Sequence, residues 1–127
     1  MRILYIIATY LALPIVFLHM LFKSFNDFTY LQRMGERFGY YKGEKPLNIL
    51  WVHAVSYGEV KAAIPLIKQL RLNFPEKKVL ITTTTPSGSR LIKELYDNKV
   101  HHVYLPYDTQ GSVIRFFKYF NPEIAII

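Results

Sequence analysis

The sequence predicts an α/β fold, a parallel sheet with helices between its strands, carried behind a membrane-spanning helix. Three observations predict it. Four short apolar runs after residue 46 are separated by three helical patterns. Residues 3–22 form one apolar stretch without Asp, Glu, Lys or Arg. The first apolar run, Ile49 to Val52, breaks at small and polar residues and continues into a helix, with a carboxylate, Glu59, at the handover. In open parallel sheets that edge is where ligands bind.

Size and composition narrow the functional classes. A chain of 127 residues, 51% hydrophobic and 16% aromatic, suits one domain with a real core and argues against disorder. The sequence has no cysteine, which excludes disulfides, thiolate metal sites and a cysteine nucleophile. The net charge of +7 suits an anionic partner. Its basic residues are spread along the chain rather than clustered, so membrane lipids fit better than nucleic acid.

In chain order, residues 3–22 can cover the roughly 30 Å hydrocarbon layer at about 1.5 Å per residue. Pro14 lies inside the stretch, as membrane helices allow. No small-residue cleavage site follows at Leu21–Phe25, so a retained single-pass anchor is expected. Arg2 precedes the span, whereas Lys23, Arg33, Arg37 and Lys42 follow it. That bias places the globular part on the cytoplasmic side of the membrane. Residues 23–45 read as a membrane-proximal amphipathic helix and linker, with Phe28, Leu31, Met34 and Phe38 at helical spacing and Gly39 as its stop. Arg33 and Arg37 are candidate lipid-headgroup contacts. A helix docked on the globular domain through the same aromatics is the competing reading.

Residues 46–127 read as a Rossmann-like domain. Strands are expected at about 48–54, 78–83, 100–105 and 123–127. Helices should start after Glu59, at Pro86 with Thr85 as N-cap, and near Ser112. Pro65 should kink the first of these helices or split it. Right-handed crossovers then build half of a doubly wound sheet.

Glu59 has two readings at this stage. Ser56-x-x-Glu59 is a capping box, and Glu59 is also a candidate general base. Burial beside Trp51 and Tyr57 would raise its pKa, and the helix N-terminus would lower it. The run from Thr82 through Thr84 and Thr85, with Ser87, Gly88 and Ser89 at the start of the next helix, offers hydroxyls and backbone N–H groups that either cradle a phosphate or sugar or are β-branched strand residues followed by an ordinary cap. His53 ends the first strand, either lining the site or bonded within the strand. Asp108 reads as a cap or turn residue. His101 and His102 are neighbours in a strand and face opposite ways, so they cannot chelate one metal together. Neither a dinucleotide fingerprint nor a P-loop is present, since Gly58 stands alone.

The run Trp51-Val52-His53-Ala54-Val55-Ser56-Tyr57-Gly58-Glu59-Val60, with Pro65-Leu66 behind it, resembles the 3-deoxy-D-manno-octulosonic acid (Kdo) transferase family. The resemblance continues in Arg37-Phe38-Gly39, in Thr82-Thr83-Thr84-Thr85-Pro86-Ser87-Gly88 and in Tyr104-Leu105-Pro106-Tyr107-Asp108. It implies the N-terminal half of a GT-B glycosyltransferase, holding a lipid A-type acceptor in lipopolysaccharide inner-core synthesis. A C-terminal half beyond Ile127 would bind the donor CMP-Kdo. The family match makes Glu59 the general base of an inverting, metal-independent transfer, with His53, Ser56, Gly58, Thr84, Thr85 and Ser87 around the acceptor. No cofactor is implied. The expectation is an N-terminal portion that does not turn over alone. A non-catalytic anchored α/β module binding an anionic ligand or partner is the alternative.

Overall fold

A computed structural model describes residues 2–24 and 28–127. The first helix, α1 (Arg2–Ser24), contains the one segment among the described residues, Ile3–Lys23, that is long and apolar enough to cross a membrane. Pro14 lies within it without ending it. Near its end Met20 is buried and accepts a hydrogen bond from the Tyr107 hydroxyl.

The expected amphipathic helix is a single turn. Phe25–Asp27, part of that expectation, lie outside the described residues. A 3₁₀ turn, Phe28–Tyr30, is followed by the four-residue α2 (Met34–Arg37). Arg33 adopts a left-handed backbone conformation (φ 57°) between them, which breaks the helical path. Two polar side chains of this turn, Arg33 and Glu36, bond to the strand His101–Tyr104. Arg33 donates to His102 O (2.8 Å), and Glu36 accepts from the Tyr104 N–H (2.8 Å). Arg33 Nε and Glu36 Oε1 are themselves 2.8 Å apart. The ion pair thus fills hydrogen-bonding positions that an edge strand otherwise leaves open to another chain.

The sheet contains β1 (Ile49–His53), β2 (Lys78–Thr83), β3 (His101–Tyr104) and β4 (Ile124–Ile126), all parallel, in the order β3-β2-β1-β4. The helices between them are α3 (Tyr57–Asn73), α4 (Pro86–Tyr96) and α5 (Gln110–Phe120). Val60 and Ile67 of α3 and Leu91, Ile92 and Tyr96 of α4 pack with Val52, Val79 and Ile81 on one face. Phe116 and Phe120 of α5 pack with Ile49, Trp51 and Leu80 on the other. Full burial of each large aliphatic side chain contributes roughly 1.5–3 kcal/mol, which makes these two layers the main source of stability.

Pro65 does not divide α3, which runs unbroken through it. The proline lies on the exposed side, so the Lys61 carbonyl that loses its helical donor faces water rather than the core. The third expected helix begins two residues early, at Gln110, with Thr109 as its N-cap through the Ser112 N–H and Asp108 in the turn before it. The Asp108 carboxylate instead accepts from the Tyr5 hydroxyl of α1.

Candidate functional site

The chain turns from β1 to α3 on one face of the sheet, whereas α5 returns to β4 on the other face. The carboxyl ends of β1 and β4, neighbours in the sheet, therefore flank a topological switch point, where loops diverge and leave a crevice. His53 is the last residue of β1, and Ala54–Ser56 lead from it into α3.

Glu59 is exposed, at the third position of α3. Its Oε2 accepts from the Val55 N–H at 2.7 Å. Oε1 has no partner among the described residues. The expected capping box does not form. Ser56 occupies the N-cap with extended backbone (φ −130°, ψ 174°), but its hydroxyl makes no capping bond, and Glu59 reaches back one residue further than that motif requires. Trp51 turns into the α5-side core and Tyr57 is itself exposed, so neither buries the carboxylate.

Val55 is held through its carbonyl as well. Its carbonyl accepts from Thr83 Oγ1 (2.7 Å), Thr84 N (3.0 Å) and Thr84 Oγ1 (3.0 Å). Thr83 is 0% exposed. Gly88 makes room for it, since a Cβ there would stand 2.6 Å from Thr83 Oγ1 and 3.4 Å from the Ser56 carbonyl carbon. The Glu59 carboxylate is thus oriented through one residue, Val55, whose carbonyl is clamped by the end of β2.

On the opposite sheet face His53 Nδ1 lies 2.9 Å from Thr82 Oγ1, which also accepts from Trp51 Nε1 at 2.8 Å. Gly58 presents open space: nothing lies within 4 Å of where its Cβ would be, and its backbone is not left-handed.

Other candidates are placed differently. The hydroxyls of the Thr84–Ser87 run are engaged within the protein. Thr84 bonds Val55 O, Thr85 caps α4 by accepting from Gly88 N (3.2 Å), and Ser87 bonds Thr85 Oγ1 (3.3 Å). Arg37 is 5% exposed and does not reach lipid headgroups. Its guanidinium donates to Thr84 O (2.9 Å) and covers the Tyr104 ring at 4.2 Å, with its Nε buried and unpartnered. Arg33 is engaged by Glu36, Ser89 and His102 rather than left as a solvated charge. His101 is exposed, while His102 bonds Ile81 O and Ser89 Oγ. Burial first, and the nearby Arg33 charge after it, hold the His102 imidazole down at about 4 against a partly opposing backbone bond. A groove of about 750 Å³ lies on the β3 flank, walled in part by Arg33, Glu36, Tyr40, Tyr41, His102 and Tyr119. Glu59 is not among its walls.

Sequence reasoning missed Val55, and it offered the hydroxyls of Thr82 and Thr83 to a ligand, whereas here they bond within the protein. The available signal was four consecutive threonines closing an apolar strand, because a buried strand hydroxyl must find partners.

A profile of the 3-deoxy-D-manno-octulosonic-acid transferase (kdotransferase) family matches residues 32–127. The 3-deoxy-D-manno-octulosonic acid transferase of Haemophilus influenzae is 39% identical over 100 residues, 77% of this chain and 23% of that protein. The probable mitochondrial 3-deoxy-D-manno-octulosonic acid transferase of Arabidopsis thaliana is 34% identical over 125 residues, 98% of this chain and 28% of that protein. The Chlamydia trachomatis transferase of the same name is 32% identical over 110 residues, 83% and 25% of the two chains. The chain thus spans about a quarter of the length of these curated relatives. No solved structure matches it significantly. With the profile covering Glu59, its Val55 clamp and all four strands, the chain belongs to the 3-deoxy-D-manno-octulosonic acid transferase family.

Proposed function

We propose that this chain forms the acceptor-binding half of a GT-B glycosyltransferase that moves Kdo from CMP-Kdo to a lipid A-type glycolipid. Glu59 is its general base. The observation that carries this reading is the exposed Glu59 carboxylate, aimed by Val55 at the sheet's switch point in a chain of this family. An acceptor hydroxyl oxygen forms a bond to the anomeric carbon of Kdo as the bond from that carbon to the CMP phosphate breaks. The hydroxyl proton passes to Glu59 Oε1, and CMP leaves with the bonding electrons. Attack opposite the leaving group inverts the anomeric centre. The step as written calls for no metal and no organic cofactor.

Residues 46–127 are the acceptor domain of this proposal, and the donor is bound mainly by a further α/β half. The helix α1 is a single-pass inner-membrane anchor, supported by its composition and by Lys23 and Lys42 behind it, which favour a cytoplasmic globular part. Anchoring keeps the site beside a substrate that is itself in the bilayer.

Glu59→Gln in the complete enzyme tests the base. Glutamine keeps an oxygen for the Val55 N–H, so melting temperature should hold while transfer falls by about 10²–10⁴-fold. Transfer at an undiminished rate would leave Glu59 a structural residue and favour the non-catalytic module.

A further inference from the structure

Thr82 fixes which nitrogen of His53 carries the proton. The Thr82 hydroxyl is 0% exposed, and within hydrogen-bonding distance it has Trp51 Nε1 at 2.8 Å and His53 Nδ1 at 2.9 Å. An indole nitrogen can only donate, so Thr82 Oγ1 accepts from Trp51. The hydroxyl has one proton of its own, and among the described residues His53 Nδ1 is the one acceptor for it. A buried hydroxyl proton does not go unpaired when a lone pair stands at that distance. Thr82 therefore donates to Nδ1, and the imidazole carries its single proton on Nε2. That Nε2 has no partner among the described residues, and the half-buried ring sits at the carboxyl end of β1, at the switch point.

We infer that Trp51 and Thr82 preset His53 as an Nε2–H hydrogen-bond donor to an oxygen of the glycolipid acceptor. The identity of that ligand rests on the transferase reading above; the tautomer does not. With Nδ1 turned to Thr82 and the proton on Nε2, His53 presents a donor rather than a lone pair to the crevice. It positions the acceptor and is not a second base beside Glu59. This division follows from the pair of strands: His53 lies opposite Thr82 in the β1–β2 register, and Trp51, two residues earlier, faces the same side.

The test has two arms. Long-range ¹H–¹⁵N spectra of the imidazoles in the unaltered chain, recorded near pH 8 where an ordinary histidine of pKa about 6.5 is neutral, report each tautomer. With four histidines in the sequence, His53→Gln assigns the signal. The expected result is a protonated Nε2 and an unprotonated Nδ1 for His53, a preference that Thr82→Val should weaken. A protonated Nδ1 overturns the inference. In the complete enzyme, His53→Leu should raise the acceptor KM about 10-fold, the scale of one lost hydrogen bond, with kcat changed less than about threefold. An unchanged KM removes the acceptor contact, and a kcat loss as large as that of Glu59→Gln makes His53 the base. Retained activity in Glu59→Gln would sink the general-base reading and leave the tautomer result standing.

Discussion

Gly88→Ala sets two effects of opposite sign against each other. Alanine inside a helix is ordinarily favoured over glycine by about 0.5–1 kcal/mol. Gly88 lies in the first turn of α4, where the new Cβ would stand 2.6 Å from Thr83 Oγ1 and 3.1 Å from Thr85 Oγ1. Thr83 cannot swing away cheaply, because its hydroxyl is buried and bonded to Val55 O at 2.7 Å. Overpacking of this kind costs about 1–3 kcal/mol, so the clash wins and the net loss is about 1–2 kcal/mol. For a domain of this size that lowers the melting temperature by roughly 4–16 °C. Thermal and urea unfolding of Gly88→Ala, Thr83→Ala and the double variant form the assay. Removing the Thr83 hydroxyl removes the atom that the introduced methyl group would strike, so the two losses should couple by about 1 kcal/mol. Gly88→Ala as stable as the unaltered protein, or losses additive within about 0.5 kcal/mol, would refute the reasoning.

Three further outcomes are expected. Gly58→Ala places a methyl group in open space at the start of α3, so it should stabilise the fold by up to about 1 kcal/mol in urea unfolding yet raise the acceptor KM, and a destabilised variant would contradict the open geometry. His102 is held at about 4 when folded against 6.5 ordinarily, so the unfolded chain takes up its proton first. Its contribution is then complete above pH 6.5, shrinks as pH falls from 6.5 to 4 and is lost below that, with a ceiling of ~3 kcal/mol; His102→Gln should flatten the pH dependence of the urea midpoint over that window. The Tyr5–Asp108 contact and a bilayer-spanning α1 exclude each other, because Tyr5 lies about 27 Å along the helix from Lys23 and a carboxylate at that depth is expensive. Tyr5→Cys with Asp108→Cys, in a chain that otherwise has no cysteine, should therefore crosslink in detergent-free solution and fail to crosslink in bilayers.

Much of the fold was legible because strand and helix here are written in local patterns. The runs at Ile49–Val52 and Val79–Ile81 are apolar on both faces, as a strand covered by helices on each side requires, and Thr85-Pro86 announced the start of α4. The segment from Phe28 to Lys45 was not legible, since its conformation answers to β3, far along the chain. Arg33 turns left-handed so that it and Glu36 together meet His102 O and Tyr104 N–H, and no spacing within the segment encodes that. Glu59 was legible as the group at the strand's end. Its partner was not: the Ser-x-x-Glu pattern points to the Ser56 N–H, and the extended backbone of Ser56 delivers the carboxylate to the Val55 N–H instead. The threonine run was legible as a supply of hydroxyls, but sequence alone does not say which way a hydroxyl turns.

Taking away every polar group that the rim uses internally leaves very little to act on a ligand. Thr82 is occupied by Trp51 and His53, Thr83 and Thr84 by Val55, and Thr85 by Gly88. Among the groups that remain at the end of β1 are Glu59 Oε1, His53 Nε2 and the bare N-terminal edge of α3 at Gly58. In the proposed reaction the first accepts a proton and the second donates a hydrogen bond. The two side chains stem from opposite sides of β1, His53 from the Trp51 face and Glu59 from the helix on the Val52 face. The threonines frame the rim: the hydroxyls of Thr83 and Thr84 hold Val55, through which the exposed Glu59 carboxylate is aimed, and that of Thr82 holds the His53 ring. Closing a second wall over that crevice would exclude water and strengthen each of those interactions, and a transferase needs that at the moment its proton moves.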